Sequence, residues 1–210
     1  MYDFYIFDLD GTLLDTLEDL TSSVNATLNH FGYTLRSKDE VCSFIGNGVK
    51  TLLLRAIGYE PENFSGIFQY FKEYYAQHST DQTKPYDGIL ELLTRLKSQG
   101  KTIGIVSNKA DFATKALSKG YFGELIDVAL GENEDNGIRK KPAPDSIELA
   151  LRQVGISKEK AVYIGDSDVD IQTAKNAGLP CISVTWGFRD EKFLKENGGT
   201  CFAHTPNEIE

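Results

Sequence analysis

Short apolar runs bounded by turn residues recur along the chain: "DFYIFDL" at 3–9, "KTIGIVSNK" at 101–109, "ELIDVALGE" at 124–132, "KAVYIGDS" at 160–167 and "PCISVTWG" at 180–187. Interleaved with the later runs are "GILELLTRLKSQG", "DFATKALSKGYF", "APDSIELALRQVG" and "DVDIQTAKNAG". Their apolar residues recur every three or four positions, and each ends at or near a glycine. The short runs read as buried strands and the three-to-four period as amphipathic helices, commonly closed by glycine. Alternation of the two predicts an α/β fold, a doubly wound parallel sheet with helices on both faces. Such sheets place ligands outside the carboxyl ends of their strands, where Asp8, Asp10, Ser107, Asn108, Asp166 and Asp170 fall.

Residues 15–84 break this rhythm. They carry helical patterns, "LEDLTSSVNATLNHFG", "GVKTLLLRAIG" and "FSGIFQYFKEYYAQH", and no convincing strand. The expected organisation is an α/β core made of 1–14 and 85–210, with 15–84 inserted as a helical domain.

Composition changes this picture little. Of 210 residues, 40% are hydrophobic and 25% charged, enough for a sizeable core in a soluble protein. No run approaches the roughly 20 apolar residues of a membrane span, and no basic or apolar leader opens the chain. Three scattered cysteines suggest neither a disulfide framework nor a zinc site. A cytoplasmic protein is expected. Its net charge of −9, with no stripe of Lys or Arg, argues against a nucleic-acid partner. A small anion remains acceptable, because local cations and backbone N–H groups can hold it while distant charge is screened. Nothing in the sequence chooses between monomer and homodimer.

The chemistry concentrates at strand ends. Asp8 and Asp10 alternate along an extended segment, so both can face one small site. Two carboxylates that close need a cation or a shared proton, and hard oxygen ligands suit Mg²⁺; a plain Asp-Gly turn is the other reading. An EF-hand loop does not fit, since counting from Asp8 puts Leu13 and Asp19 where glycine and glutamate belong. "GDSDVD" repeats the arrangement with Asp166 and Asp170 about one helical turn apart, although Ser167 or Asp168 could simply cap a helix. Ser107 and Asn108, followed by Lys109, could cradle phosphate at a helix start or form an ordinary turn. Lys140 and Lys141 precede two prolines that disfavour helix until Asp145.

In this order "DLDGT", "VSNK", "KKPAP" and "GDSDVD" resemble the four motifs of the haloacid dehalogenase-like phosphatase superfamily, from residue 8 to about 180. The insertion falls where that superfamily carries a helical cap on its Rossmann-like core. "IGNGVKTLLLRAIG" and "PYDGILELLTRLKSQG" are similar to phosphoglycolate phosphatase-type members. The resemblance implies hydrolysis of a small phosphate monoester through an aspartyl-phosphate. In it Asp8 is the nucleophile and Asp10 the acid and base, with a carboxyl pKa raised toward neutrality by Asp8. Ser107 and Lys141 bind the transferring phosphoryl group with backbone N–H groups after Asp8, those of Leu9 and Asp10, while Asn108 and Thr12 support it. Mg²⁺ is held by Asp8, the Asp10 carbonyl and Asp166, with Asp170 behind them. Asp10 favours phosphoryl chemistry over dehalogenation, because a halide leaves without a proton. Asn47 and Lys50 in the cap either read the leaving group or merely start a helix. Trp186, Phe188 and Arg189, after the last main strand, could touch substrate, although aromatics there more often just pack, and His30, His78 and His204 are expected to be ordinary structural or surface residues. Phosphoryl transfer of the β-phosphoglucomutase kind, pyrophosphate hydrolysis, a catalytically silent regulator and a phospho-receiver are the competing functions.

Overall fold

The computed structural model describes residues 2–210. By contact density the chain divides into two units, Met1–Leu14 with Pro85–Glu210, and Asp15–Lys84. Its strands are β1 (Phe4–Phe7), β2 (Leu14–Asp15), β3 (Lys84–Pro85), β4 (Thr102–Ala110), β5 (Val128–Glu132), β6 (Ala161–Gly165), β7 (Cys181–Val184) and β8 (Phe202–Ala203). The two-residue strands β2 and β3, where the chain changes unit, pair with each other. The other six form one sheet in the order β5-β4-β1-β6-β7-β8, every pair parallel.

Period-two alternation explains why this sheet needs helices on both sides. On β1, Tyr5 and Phe7 enter one core and Phe4 and Ile6 the other; on β6, Val162 and Ile164 oppose Ala161 and Tyr163 in the same way. All eight are fully buried. The first face is covered by α5 (Ile89–Ser98) and α6 (Asp111–Phe122) through Leu92, Leu96, Leu117 and Phe122. The second is covered by α7 (Asp145–Val154) and α8 (Asp168–Ala177) through Ile147, Ala150 and Ala174. Gly104 on β4 leaves room for a neighbour: a Cβ there would lie 2.8 Å from the Phe4 ring. Helix α7 starts at Asp145, as the preceding prolines predict. Small elements not read from the sequence include β2, β3, β8 and α9 (Glu191–Glu196), all shorter than a periodic pattern can announce.

The second unit is helical. It holds α1 (Leu17–His30), α2 (Lys38–Phe44), α3 (Val49–Ile57) and α4 (Phe64–His78) around a core of Leu20, Val24, Leu28, Val41, Leu53, Ile67 and Phe71. The buried Asp19 carboxylate accepts from Gln82 N, Thr83 N and Thr83 Oγ1, tying the end of this segment to its first helix. No helix among the described residues is long and apolar enough to cross a membrane.

Candidate active site

Strands β1 and β6 end side by side, while β4, on the other flank of β1, runs on to Ala110, and the parallel register fixes what meets there. Phe7 is level with Ile105 and Ile164, so Asp8 leaves the sheet beside Gly165 and one residue before Asp166. Asp8 N bonds the Ile164 carbonyl at 2.8 Å. Turning back at Gly11 (φ 84°), the chain returns Thr12, Leu13 and Leu14 amides to the Leu9 carbonyl. Three buried carboxylates, Asp8, Asp166 and Asp170, thereby offer oxygens within 4.8 Å of one another.

One buried ammonium faces them. Lys141 Nζ lies 3.0 Å from Asp8 Oδ1 and 2.7 Å from Asp170 Oδ1, with the Tyr163 hydroxyl at 3.0 Å. Asp170 has little further capacity: Ser167 N and Oγ donate to its Oδ2 at 3.1 and 2.5 Å, and Ser167 caps α8 in return. Ser167 is thus the helix cap, and the Asp170 carboxylate serves both the cap and the lysine. Asp166 accepts from Thr12 Oγ1 (3.2 Å) and Phe188 N (2.8 Å). On Asp8, Leu9 N and Lys141 both address Oδ1; Oδ2 accepts no hydrogen bond among the described residues.

Three buried carboxyl groups share a single buried ammonium. Burial pushes the Asp8 carboxyl up to about 7, with Lys141 opposing and Asp170 and Asp10 adding to the rise. Burial, then Asp170 and Asp8, carry Asp166 well above the usual carboxylate range. Burial works against the Lys141 charge, yet Asp170 and Asp8 outweigh it and hold the ammonium above its ordinary range. A cluster of hard oxygens with excess negative charge fits a small, hard divalent cation.

Asp10 stands apart. Its carboxylate is bound by Lys109 Nζ at 3.0 and 3.2 Å, the lysine side chain being 3% exposed and that of Asp10 15%. The Asp10 side chain is therefore not part of the three-carboxylate group. Asn108, expected to support phosphate, bonds both ends of its side-chain amide to the Lys141 backbone, at 2.8 and 3.0 Å, and so aims that lysine. Ser107 is buried within β4, level with the start of the loop after β1, its Oγ accepting from Lys109 N at 3.3 Å. Leu9 has its side chain in the core and its N–H on Asp8. Asn47 lies in the turn before α3, and Lys50 on α3 sits 5.6 Å from the centre of the Phe68 ring.

Sequence reasoning gave no role to Tyr163, whose hydroxyl also lies 3.0 Å from the Val106 carbonyl. Its alternation on β6 reads as core, and nothing in that pattern reveals a hydroxyl at the lysine. It also passed over Lys109, adjacent to Ser107 and Asn108 and recognisable only once Asp10 was in place beside it. Trp186 and Phe188 were expected to pack; they do, but against the site itself.

Residues 5–184 match the model of the haloacid dehalogenase-like hydrolases. Phosphoglycolate phosphatase 1 of Pseudomonas aeruginosa is 32% identical over 93% of this chain and 74% of its own. A crystal structure from Lactobacillus delbrueckii subsp. bulgaricus superposes with a TM-score of 0.91 at 36% identity, covering 99% of this chain and 96% of that one. CbbY from Rhodobacter sphaeroides, solved in complex with phosphate, has a TM-score of 0.82 at 26% identity over 100% of this chain and 96% of its own.

Proposed function

Because this chain belongs to the haloacid dehalogenase-like hydrolases, we propose that it is a Mg²⁺-dependent phosphatase of small phosphate monoesters, phosphoglycolate among the first to test. The observation that carries this reading is the Asp8 carboxylate: Oδ1 is anchored by Leu9 N and Lys141, while Oδ2 is left for attack.

Asp8 Oδ2 attacks phosphorus, the bond to the leaving oxygen breaks, and Asp10 supplies that oxygen with a proton. Water then attacks the aspartyl-phosphate, Asp10 takes its proton, and inorganic phosphate leaves with the carboxylate restored. Lys141, aimed by Asn108 and Asp170, stabilises the negative oxygens of the transferring group, and the buried Ser107 hydroxyl adds a donor. Asp8 and Asp166 would hold Mg²⁺, with the Asp10 carbonyl, while Asp170 restrains Lys141 behind them. Bound there, the cation offsets the repulsion between an anionic nucleophile and an anionic phosphate.

The leaving group is set by parts of the site that these residues do not define. The name of the Pseudomonas relative supports phosphoglycolate, and the phosphate-bound CbbY structure supports a phosphorylated ligand more generally. A phosphate-release screen over phosphoglycolate, sugar phosphates and pyrophosphate, with Mg²⁺ and with EDTA, tests the reading. Release confined to the Mg²⁺ arm is expected. Full activity in EDTA, or no release from any ester, would overturn it, and a rearranged sugar phosphate without free phosphate would replace hydrolysis by transfer.

A further inference from the structure

Beyond the four motifs, a fifth segment reaches the cation site. β7 lies beside β6, with Gly165 level with Ser183, so the chain leaving β7 rises at the edge where Asp166 sits. Three contacts bind that chain to the site. The Trp186 indole N–H donates to the Thr12 carbonyl at 3.0 Å. The Phe188 N–H donates to Asp166 Oδ2 at 2.8 Å. Between them, Gly187 packs so closely that a Cβ would overlap the Gly11 carbonyl oxygen and the Asp166 side chain. Gly187 is not among the glycines with positive φ; what the position requires is room, not an unusual backbone. Gly11 approaches from the other side, where a Cβ would lie 2.7 and 2.9 Å from Asp166 Cγ and Oδ1.

We propose that the turn Trp186–Gly187–Phe188 positions the Asp166 carboxylate for the divalent cation, and that Trp186 consequently reports cation binding. The physical reason is lone-pair direction. With Phe188 N fixed on Oδ2 and Thr12 Oγ1 on Oδ1, the carboxylate plane cannot rotate, and its remaining lone pairs stay aimed at the group shared with Asp8. The same turn grips Thr12 through its carbonyl, so the first motif and Asp166 are held in one frame. Partners that orient a metal ligand commonly change affinity roughly 10- to 100-fold when lost. The inference rests on a divalent cation binding at Asp8 and Asp166.

The chain contains one tryptophan, which makes the test direct. Wild-type protein is titrated with Mg²⁺ while Trp186 fluorescence and binding heat are followed in parallel, and metal-free thermal unfolding is recorded for every variant. Expected for wild type is a saturable fluorescence change with the calorimetric Kd. Gly187→Ala should weaken Mg²⁺ roughly 10- to 100-fold while the metal-free protein still unfolds cooperatively. Trp186→Phe keeps a ring but loses the N–H, and its calorimetric Kd should rise by a smaller factor. A folded Gly187→Ala protein with the wild-type Kd overturns the proposal. If that variant does not fold, Trp186→Phe decides, and an unchanged Kd there overturns it equally. A wild-type protein that binds Mg²⁺ without any tryptophan response removes the reporter claim. One that binds no Mg²⁺ at all removes the Mg²⁺-dependent reading itself, a result distinguishable from the others.

Discussion

Asp8 and Asp10 are two residues apart, yet they occupy opposite electrostatic settings. Asp8 shares one ammonium with Asp170 and lies beside Asp166, so its surroundings carry excess negative charge. Asp10 has a lysine of its own, bound to both its oxygens and almost fully buried. The difference shows how a fold can hold two acids at one strand end. One is matched locally by Lys109, and the other is left in a cluster that a divalent cation completes. The roles we propose for them follow this division: Asp8, the proposed nucleophile, lies in the cluster, and Asp10, the proposed acid and base, is held beside it by Lys109.

The comparison breaks most severely at Asp8. Asp8→Asn keeps the shape but removes the attacking charge, and turnover should fall by at least about 10⁴-fold, measured by phosphate release alongside a thermal transition that stays cooperative. The two lysines should then differ. Lys141→Met leaves three buried carboxylates with no cation, and metal-free stability should drop by about 3–5 kcal/mol in urea unfolding, much of it recovered on adding Mg²⁺. Lys109→Met releases the Asp10 carboxylate, which can turn toward water, so its loss should be clearly smaller and insensitive to Mg²⁺. Equal losses, or Mg²⁺ rescue of both, would erase the distinction.

Much of the Asp8 setting was legible in the sequence and much of the Asp10 setting was not, for a physical reason. Asp8 and Asp166 follow strands predicted by apolar runs, Asp170 lies about one turn beyond Asp166 in α8, Lys141 precedes the prolines of the loop before α7, and their residue types fit one chemistry. The pairing of Lys109 with Asp10 spans 99 positions, and the Tyr163 hydroxyl sits on a residue that reads as core. Both depend on which way a side chain leaves its strand, and hydrophobic periodicity carries no such information about polar tips. Asn108 shows the same limit: its position was read correctly, but the side chain turns to the Lys141 backbone. In the helical unit, α1, α3 and α4 follow from periodicity, whereas the seven-residue α2, opened in the structure by a Ser37–Glu40 capping box, was not read from the sequence.

A smaller effect sharpens the role of Lys109. If it holds Asp10 in place for proton delivery, Lys109→Met should slow hydrolysis of an alkyl phosphate about tenfold more than that of a nitrophenyl phosphate, whose leaving group needs no proton. Parallel losses on both esters would make Lys109 merely structural.

The mildest test is pH. In metal-free protein the Asp8 pKa is about 7 against 3.8 for the ordinary group. A raised carboxyl contributes stability that is full below the unfolded value and is lost as pH climbs toward the folded one. Asp166 shifts in the same direction. Mg²⁺ competes with those protons, so the gain in Tm on adding Mg²⁺ should grow from about pH 5 to about pH 7 and then level off. Surface carboxylates with lowered pKa, such as Glu40 and Asp145, act alike with and without metal and cancel in the difference. A gain independent of pH would contradict the assignment of the uncompensated charge to Asp8 and Asp166.

The most direct measurement is anomalous diffraction from crystals grown with Mn²⁺ in place of Mg²⁺ and with a phosphate mimic. A single strong peak is expected between the Asp8 and Asp166 carboxylates, with the mimic against Asp8 Oδ2 and Lys141, and Asp170 still bonded to that lysine. No ion at that position, with the Asp8 and Asp166 side chains turned away from each other, would contradict the claim that a cation completes this cluster.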